Sequence, residues 1–129
     1  MDYKHDRHSV HLVVFHLVWC PKRRKAVLVG KVARRLRQII AEVAWENGWD
    51  ILELAINPDH VHLFVRGNPI TSAAKMVRSF KGRSSRLLRQ EFPQLLRLPS
   101  PWTRSYFVFT AGNVSSEAIQ RYNAAQSTR

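Results

Sequence analysis

Two histidines, His60 and His62, stand one residue apart in a segment whose residues favour a β-strand. Side chains at positions i and i+2 of a strand point to the same face, so both imidazoles can reach one point in space, where a metal ion could bind. Tyr122 and Gln126 are four residues apart and would share one face of a helix. The two pairs together suggest metal-assisted attack of a tyrosine on a phosphodiester.

Strand cleavage by a tyrosine needs a nucleophile, a Lewis acid on the scissile phosphate and a means of holding the strand. Tyr122 is the candidate nucleophile, and because a phenol has a reference pKa of about 10, a nearby cation would assist it. His60, His62 and the amide oxygen of Gln126 offer three metal ligands. Such a set leaves positions for phosphate oxygens and water.

Each half of this pattern also has an ordinary interpretation. In a chain with six histidines, a pair spaced by one residue can arise by chance. A helical tyrosine usually packs against the core, and a glutamine is usually exposed. His11 and His16 are five apart on the first predicted strand, so they face opposite ways, and we assign them no role. Only the coincidence of the two pairs supports a site.

The composition indicates one domain that binds a polyanion. The chain has 129 residues, 45% of them hydrophobic, and 21 Lys and Arg against 9 Asp and Glu give a formal charge of +12. Nucleic acid ranks ahead of an anionic membrane, since no segment resembles an interfacial helix. A single cysteine, Cys20, excludes an intramolecular disulfide framework. Neither a secretory leader nor a membrane span is recognised, and we expect a cytoplasmic protein.

Hydrophobic periodicity predicts an α+β domain with the element order β-α-β-β-α-β-α. Gly48 would end the first helix, Thr71 or Ser72 would cap the second, and Gly82 could interrupt it. The strands are predicted at 9–19, 51–56, 61–65 and 106–110, and the helices at 32–44, from 73 onward, and at about 115–127. The residue types of Asn57, Pro58 and Asp59 favour a tight turn, so the second and third strands are predicted to form a hairpin.

Two split βαβ units of this kind form a ferredoxin-like sheet, as in RNA-recognition modules, with helices on one face. The first and third strands would be central. Val61, Leu63 and Val65 would pack under the helices, which would leave His60 and His62 on an open face.

Clusters of basic residues offer candidate contacts to nucleic-acid phosphates. An isolated basic run is more often a solvated surface, but the charge of the whole chain favours binding here. The candidates are Lys22, Arg23 and Arg24 after the first strand, and Lys75, Arg78, Lys81 and Arg83 on the second helix.

Four motifs resemble those of the single-tyrosine HUH transposases of small bacterial and archaeal insertion sequences. They occur in order over nearly the whole chain, and the ferredoxin-like fold is the one that this family uses. The motifs are the run 59–64 (DHVHLF), the strand exit 19–24 (WCPKRR), the run 105–108 (SYFV), and 119–122 (IQRY) with Gln126.

The resemblance implies one transposase domain over residues 1–129, with a catalytic helix at about 115–127. Such an enzyme is a homodimer that cleaves and rejoins single-stranded DNA and recognises hairpins near the ends of the element. Tyr122 would form a 5′-phosphotyrosine link, and His60, His62 and Gln126 would hold Mg²⁺ or Mn²⁺. The tyrosine helix of one subunit can complete the site of the other in this family.

Two other functions remain open. The first is a non-catalytic module that binds single-stranded nucleic acid on the same sheet, although such modules place stacking aromatics on the third strand, where this chain has only Phe64. The second is a domesticated relative that processes chromosomal repeat hairpins with identical chemistry.

Overall fold

The computed structural model describes residues 13–67, 70–97, 101–103 and 106–110. The strands are β1 (Val13–Trp19), β2 (Asp50–Asn57), β3 (His60–Gly67) and β4 (Phe107–Thr110). The helices are α1 (Gly30–Asn47) and α2 (Ala73–Glu91), with short 3-10 turns at Lys22–Arg24 and Pro93–Arg97. The predicted helix at about 115–127, which contains Tyr122 and Gln126, lies outside the described residues.

Within the described residues, one antiparallel sheet has the strand order β2-β3-β1-β4. The first and third strands are therefore central, as predicted, and β2 and β3 form the predicted hairpin. Leu17 of β1 lies directly opposite Leu63 of β3. The α+β class and the ferredoxin-like order are confirmed.

The core lies between the two helices and one face of the sheet. Strand alternation places every second residue of β1 and β3 on this face, and the helices contribute their apolar stripes. Burial of this apolar surface, at about 25 cal/mol per Å², is the main stabilising term. The central core residues are Phe15, Leu17, Trp19, Val61, Leu63 and Val65 from the strands, and Leu36, Ile39, Ile40, Met76 and Phe80 from the helices.

The ends of the helices follow their predicted signals, but the middle of α2 does not. Gly48 ends α1 with a left-handed φ of 72°, and the Ser72 hydroxyl accepts the Lys75 N–H at 3.1 Å to cap α2. The predicted interruption at Gly82 is wrong, because α2 continues to Glu91. Buried Phe80 and Leu88 on either side anchor the helix to the core, which outweighs the weak helix propensity of one glycine. No helix in the described part of the chain combines the length and apolar content that a membrane crossing requires.

Replacing Gly82 by alanine should raise the free energy of unfolding by about 0.5 to 1 kcal/mol, because alanine loses less backbone entropy in a helix. A Cβ at Gly82 would meet no atom within 4 Å. Gly48→Ala is the matched control: its Cβ would be equally unobstructed, but its φ of +72° strains an alanine, so stability should fall. Urea unfolding would measure both variants. A loss of stability in Gly82→Ala would contradict the continuity of α2.

Candidate metal centre

His60 and His62 lie on the same face of β3, as their spacing predicts. Their ring centroids are 4.6 Å apart, and the ring planes are nearly perpendicular, at 83°. The prediction that this face is open is wrong for His62, whose exposure is only 2%. Its neighbours Val14, His16 and Phe64 on the same face of the sheet are buried as well. His62 is therefore held in a packed environment, and His60 lies nearer the surface.

The β2–β3 turn fixes the orientation of His60. The His60 Nδ1–H donates to Asp59 Oδ1 at 2.7 Å, and the Asn57 amide donates to Nε2 at 3.1 Å. A carboxylate only accepts, so the proton lies on Nδ1 and the lone pair on Nε2. This is the tautomer in which Nε2 could bind a metal in place of the Asn57 amide, with Asp59 as the supporting carboxylate. The hydrogen bond from His60 also lowers the pKa of Asp59.

His62 has a different environment, because its neighbour is another imidazole. Its Nδ1 lies 3.3 Å from Nε2 of His16. Its Nε2 is buried and makes no hydrogen bond with any residue that the structure describes. Burial, followed by the proximity of His60, lowers the pKa of His62 to about 4. The ring is thus neutral near pH 7, and it carries its one proton on either Nδ1 or Nε2.

A strained turn after β1 brings Arg24 to the same place. Arg23 and Arg24 have left-handed φ angles of 59° and 53°, which non-glycine residues adopt at a cost. The turn is held because the Lys22 N–H donates to the carbonyl of Pro101 at 2.8 Å. In this conformation the Arg24 guanidinium lies 3.3 Å from Asp59 Oδ2. Arg24 therefore contacts the carboxylate that orients His60.

The arrangement fits a metal ion with two protein nitrogens. The unpartnered Nε2 of His62 and the perpendicular His60 ring beside it supply imidazole donors of the kind that transition metals accept. The described part of the chain has no cluster of three or more His, Cys, Asp or Glu side chains that could hold a metal ion. A metal bound at the two histidines would need a further ligand from elsewhere, which is the role that the sequence predicts for Gln126.

The predicted phosphate-contacting residues divide into those near the histidines and those on α2. Lys22, Arg23 and Arg24 form the turn next to Asp59. The remaining candidates, Lys75, Arg78, Lys81 and Arg83, are on α2, which packs against the opposite face of the sheet.

The α2 cations differ in how they are engaged. Lys75 and Arg78 are exposed. The ammonium of Lys81 donates to the carbonyl of Thr103 at 2.7 Å. Arg83 makes a two-pronged contact with Glu46 of α1, at 2.6 and 3.3 Å. Lys75 and Arg78 thus present their charges to solvent, whereas the charge of Arg83 is engaged in an ion pair that joins α2 to α1.

Three polar residues of the site were not identified from the sequence. Asn57 and Asp59 were interpreted only as turn formers, although their side chains flank a histidine and could have indicated hydrogen bonds to it. His16 was given no role because it does not share a face with His11, and its contact with His62 depends on how β1 pairs with β3. The signal that could have identified it is a polar residue in an otherwise apolar strand.

Comparisons with known proteins agree with this architecture. A sequence profile described as "Transposase IS200 like" matches residues 9–126. The ISDra2 transposase TnpA of Deinococcus radiodurans is 34% identical over 129 residues, which cover 98% of this chain and 92% of that protein.

Two solved structures resemble the fold. A Deinococcus radiodurans crystal structure, solved as that of a candidate transposase, has a TM-score of 0.75 and 34% identity, with 93% of this chain and 95% of the other covered. A REP-associated tyrosine transposase bound to a REP hairpin has a TM-score of 0.62 at 15% identity, with coverage of 95% and 68%. At 15% identity, the similarity to the REP-associated transposase supports the fold alone.

The two buried imidazoles predict a stability that depends on pH. Burial lowers the pKa of His16 and of His62 from 6.5 to about 4. The unfolded chain therefore binds protons below about pH 6.5 that the folded protein does not bind until about pH 4. The two groups do not affect stability above pH 6.5, and they reduce it progressively as the pH falls, by up to about 1.4 kcal/mol per unit and group.

Urea unfolding of the metal-free protein between about pH 7.5 and about pH 5 would measure this loss. His16→Gln removes one titrating imidazole, so its stability should fall less over the same interval. Equal slopes in the two proteins would contradict a buried, neutral His16.

Proposed function

This chain belongs to the family of IS200-like transposases, and from that premise we propose that it cleaves and rejoins single-stranded DNA at insertion-sequence ends through a 5′-phosphotyrosine intermediate. The observation that carries this proposal is the pair of imidazoles on β3, in which His60 is oriented by Asp59 and His62 keeps an unpartnered Nε2. A buried nitrogen without a partner is costly in a fold that has no use for it.

His60, His62 and Gln126 would hold the metal. When bound, the ion would withdraw charge from the scissile phosphate. Mg²⁺ prefers oxygen ligands, so a set with two imidazoles favours Mn²⁺ of the two metals predicted. Asp59 would keep the proton of His60 on Nδ1, and Arg24 would in turn stabilise the charge of Asp59.

Tyr122 would be the nucleophile. Its phenolic oxygen would form a bond to phosphorus as the bond from phosphorus to the 3′ oxygen breaks. The phenol would give up its proton, and the departing 3′ oxygen would take one up to become a free hydroxyl. That hydroxyl could later attack a phosphotyrosine link and rejoin the strands, so no external energy source is needed.

The DNA partner would carry hairpins near the ends of the element. The REP-associated transposase of similar fold was solved with a REP hairpin, and by analogy with it we propose a hairpin ligand for this chain. The turn residues Lys22 and Arg23, together with Lys75 and Arg78 on α2, would contact phosphates. Contacts of this kind hold a strand without reading its sequence.

A homodimer with composite sites would complete the arrangement. The two histidines lie on β3, whereas the tyrosine and the third ligand belong to a segment after β4. Because these residues belong to separate segments of the chain, the tyrosine helix of one subunit could complete the site formed by the histidines of the other.

The contacts of Phe64 disfavour the alternative of a non-catalytic nucleic-acid module. Such modules expose aromatic rings on this strand for base stacking. Phe64 is only 1% exposed, and its ring stacks on His16 with centroids 4.1 Å apart. A domesticated relative with the same chemistry is distinguished by the flanking genome, where subterminal hairpins on both sides of the gene would indicate a mobile element.

Tyr122→Phe should abolish covalent attachment to DNA, because it removes the attacking oxygen. The wild-type protein is incubated with a single-stranded oligonucleotide that carries the hairpin of the element and with Mn²⁺, and the adduct is detected by denaturing electrophoresis. DNA affinity, measured by fluorescence anisotropy, should persist in the variant. An undiminished adduct would exclude Tyr122 as the nucleophile.

His60→Ala and His62→Ala should each reduce cleavage by more than about 100-fold and change hairpin affinity little, because both residues act on the phosphate through the metal. His11→Ala is the matched control, since this histidine was assigned no role, and it should cleave normally. Parallel losses of binding and cleavage in the two β3 variants would indicate a structural role for these histidines instead.

A further inference from the structure

The contact between His16 and His62 has a consequence for metal binding. We propose that His16 is a positioning residue: its Nε2 accepts the Nδ1–H of His62 and thereby keeps the His62 Nε2 lone pair available to the metal. This inference rests on the metal centre of the proposed function.

The geometry of the two rings supports a directed hydrogen bond. The facing nitrogens are 3.3 Å apart, whereas the ring centroids are 5.5 Å apart and the planes are inclined by only 24°. The nitrogens are therefore the closest parts of the rings, which meet edge to edge. In such a contact one nitrogen donates and the other accepts.

Metal binding is compatible with only one of the two proton arrangements. If His16 donated, the neutral His62 would carry its own proton on Nε2, and no lone pair would face the ligand side. If His62 donates, its Nε2 is free to bind the ion.

The sheet holds His16 in the required place. His16 lies opposite Phe64, and Val18 lies opposite His62, so the two histidines are diagonal neighbours on one face. The Phe64 ring stacks on the flat face of His16, with planes inclined by 18°. His16 has no exposed surface. Packing on its face therefore leaves its edge directed at His62.

The two ligands are thus oriented by different chemical groups. His60 has the carboxylate of Asp59, which is a common support for a metal-binding histidine. His62 has only a neutral imidazole at this position. A neutral acceptor orients the ring without adding a buried negative charge to this inner layer, where a charge would be costly.

The test compares variants that remove or keep the acceptor. His16→Leu removes it, whereas His16→Gln keeps an amide oxygen near the place of Nε2. Val14→Ala is the matched control, because Val14 is buried on the same face of β1 and carries no polar group. Thermal unfolding of all three variants shows which losses of metal affinity come from general destabilisation of the protein.

Mn²⁺ binding without DNA is measured by titration calorimetry. His16→Leu should bind Mn²⁺ about 10- to 100-fold more weakly than the wild type, the usual effect of losing such a support. His16→Gln should recover most of that loss, and Val14→Ala should bind normally even if it is less stable. A folded His16→Leu protein with wild-type affinity would overturn the proposal, as would a His16→Gln protein as weak as His16→Leu.

Nitrogen-15 NMR of the metal-free protein decides the tautomer independently of any metal. The wild type should show His62 protonated at Nδ1 and not at Nε2, and His16→Leu should shift the proton toward Nε2. Protonation of His62 at Nε2 in the wild type would overturn the role of His16. If the wild type failed to bind Mn²⁺ but showed the expected tautomer, the proposed metal centre would fail while the orienting contact stood.

Discussion

The pairing of β1 with β3 is the constraint on which both faces of the sheet depend. In this register Leu17 lies opposite Leu63, and Val18 lies opposite His62. Because side chains alternate, the same hydrogen bonds that place leucines in the helix-covered core also place histidines on the second face. A slip of one residue would move His16 to the core side and away from His62. The core and the candidate site therefore cannot vary independently.

Burial of adjacent imidazoles determines how they can act. Loss of hydration disfavours the charged form, so the pKa values of His16 and His62 fall to about 4. A neutral imidazole donates at one nitrogen and accepts at the other, so a partner at one nitrogen determines the character of its opposite. In His60, the hydrogen bond from Nδ1–H to Asp59 leaves Nε2 as the nitrogen with the lone pair. The identity of the neighbours, and not only the presence of two histidines, decides which nitrogens can bind a metal.

The hydrophobic periodicity of the sequence was sufficient to predict the fold. It was not sufficient to predict that the face of the sheet with the histidines is partly buried. The apolar patterns of α1 and β3, the stop at Gly48 and the β2–β3 hairpin all rest on local signals, and the structure agrees with each. The second face was expected to be open because the pattern of a single strand does not show what covers it. Phe64 follows His62 on that face, and its apolar ring was the local sign that part of the face is buried.

The contact of His16 could not be inferred in the same way. Its partner is 46 positions away, and the pair meets only when the strands adopt one particular register. Spacing within β1 shows which face His16 occupies, but not what lies beside it. The side chains of Tyr122 and Gln126 remain sequence predictions, since they lie outside the described residues.

One direct and one indirect contact to the β3 histidines come from β1 and the turn that follows it. His16 contacts His62 from within the strand, and Arg24 contacts Asp59 from a turn with left-handed backbone angles. An exposed ion pair such as that of Arg24 with Asp59 contributes little stability, so it does not by itself account for strained geometry at two consecutive arginines. Backbone hydrogen bonds from Lys22 to Pro101 and from Arg24 to Pro21 hold this turn, and it keeps a cation beside the carboxylate that orients His60, a proposed metal ligand. In the proposed metal centre, β3 would carry the metal-binding nitrogens, with His60 oriented by Asp59 of the β2–β3 turn and His62 by His16 of β1.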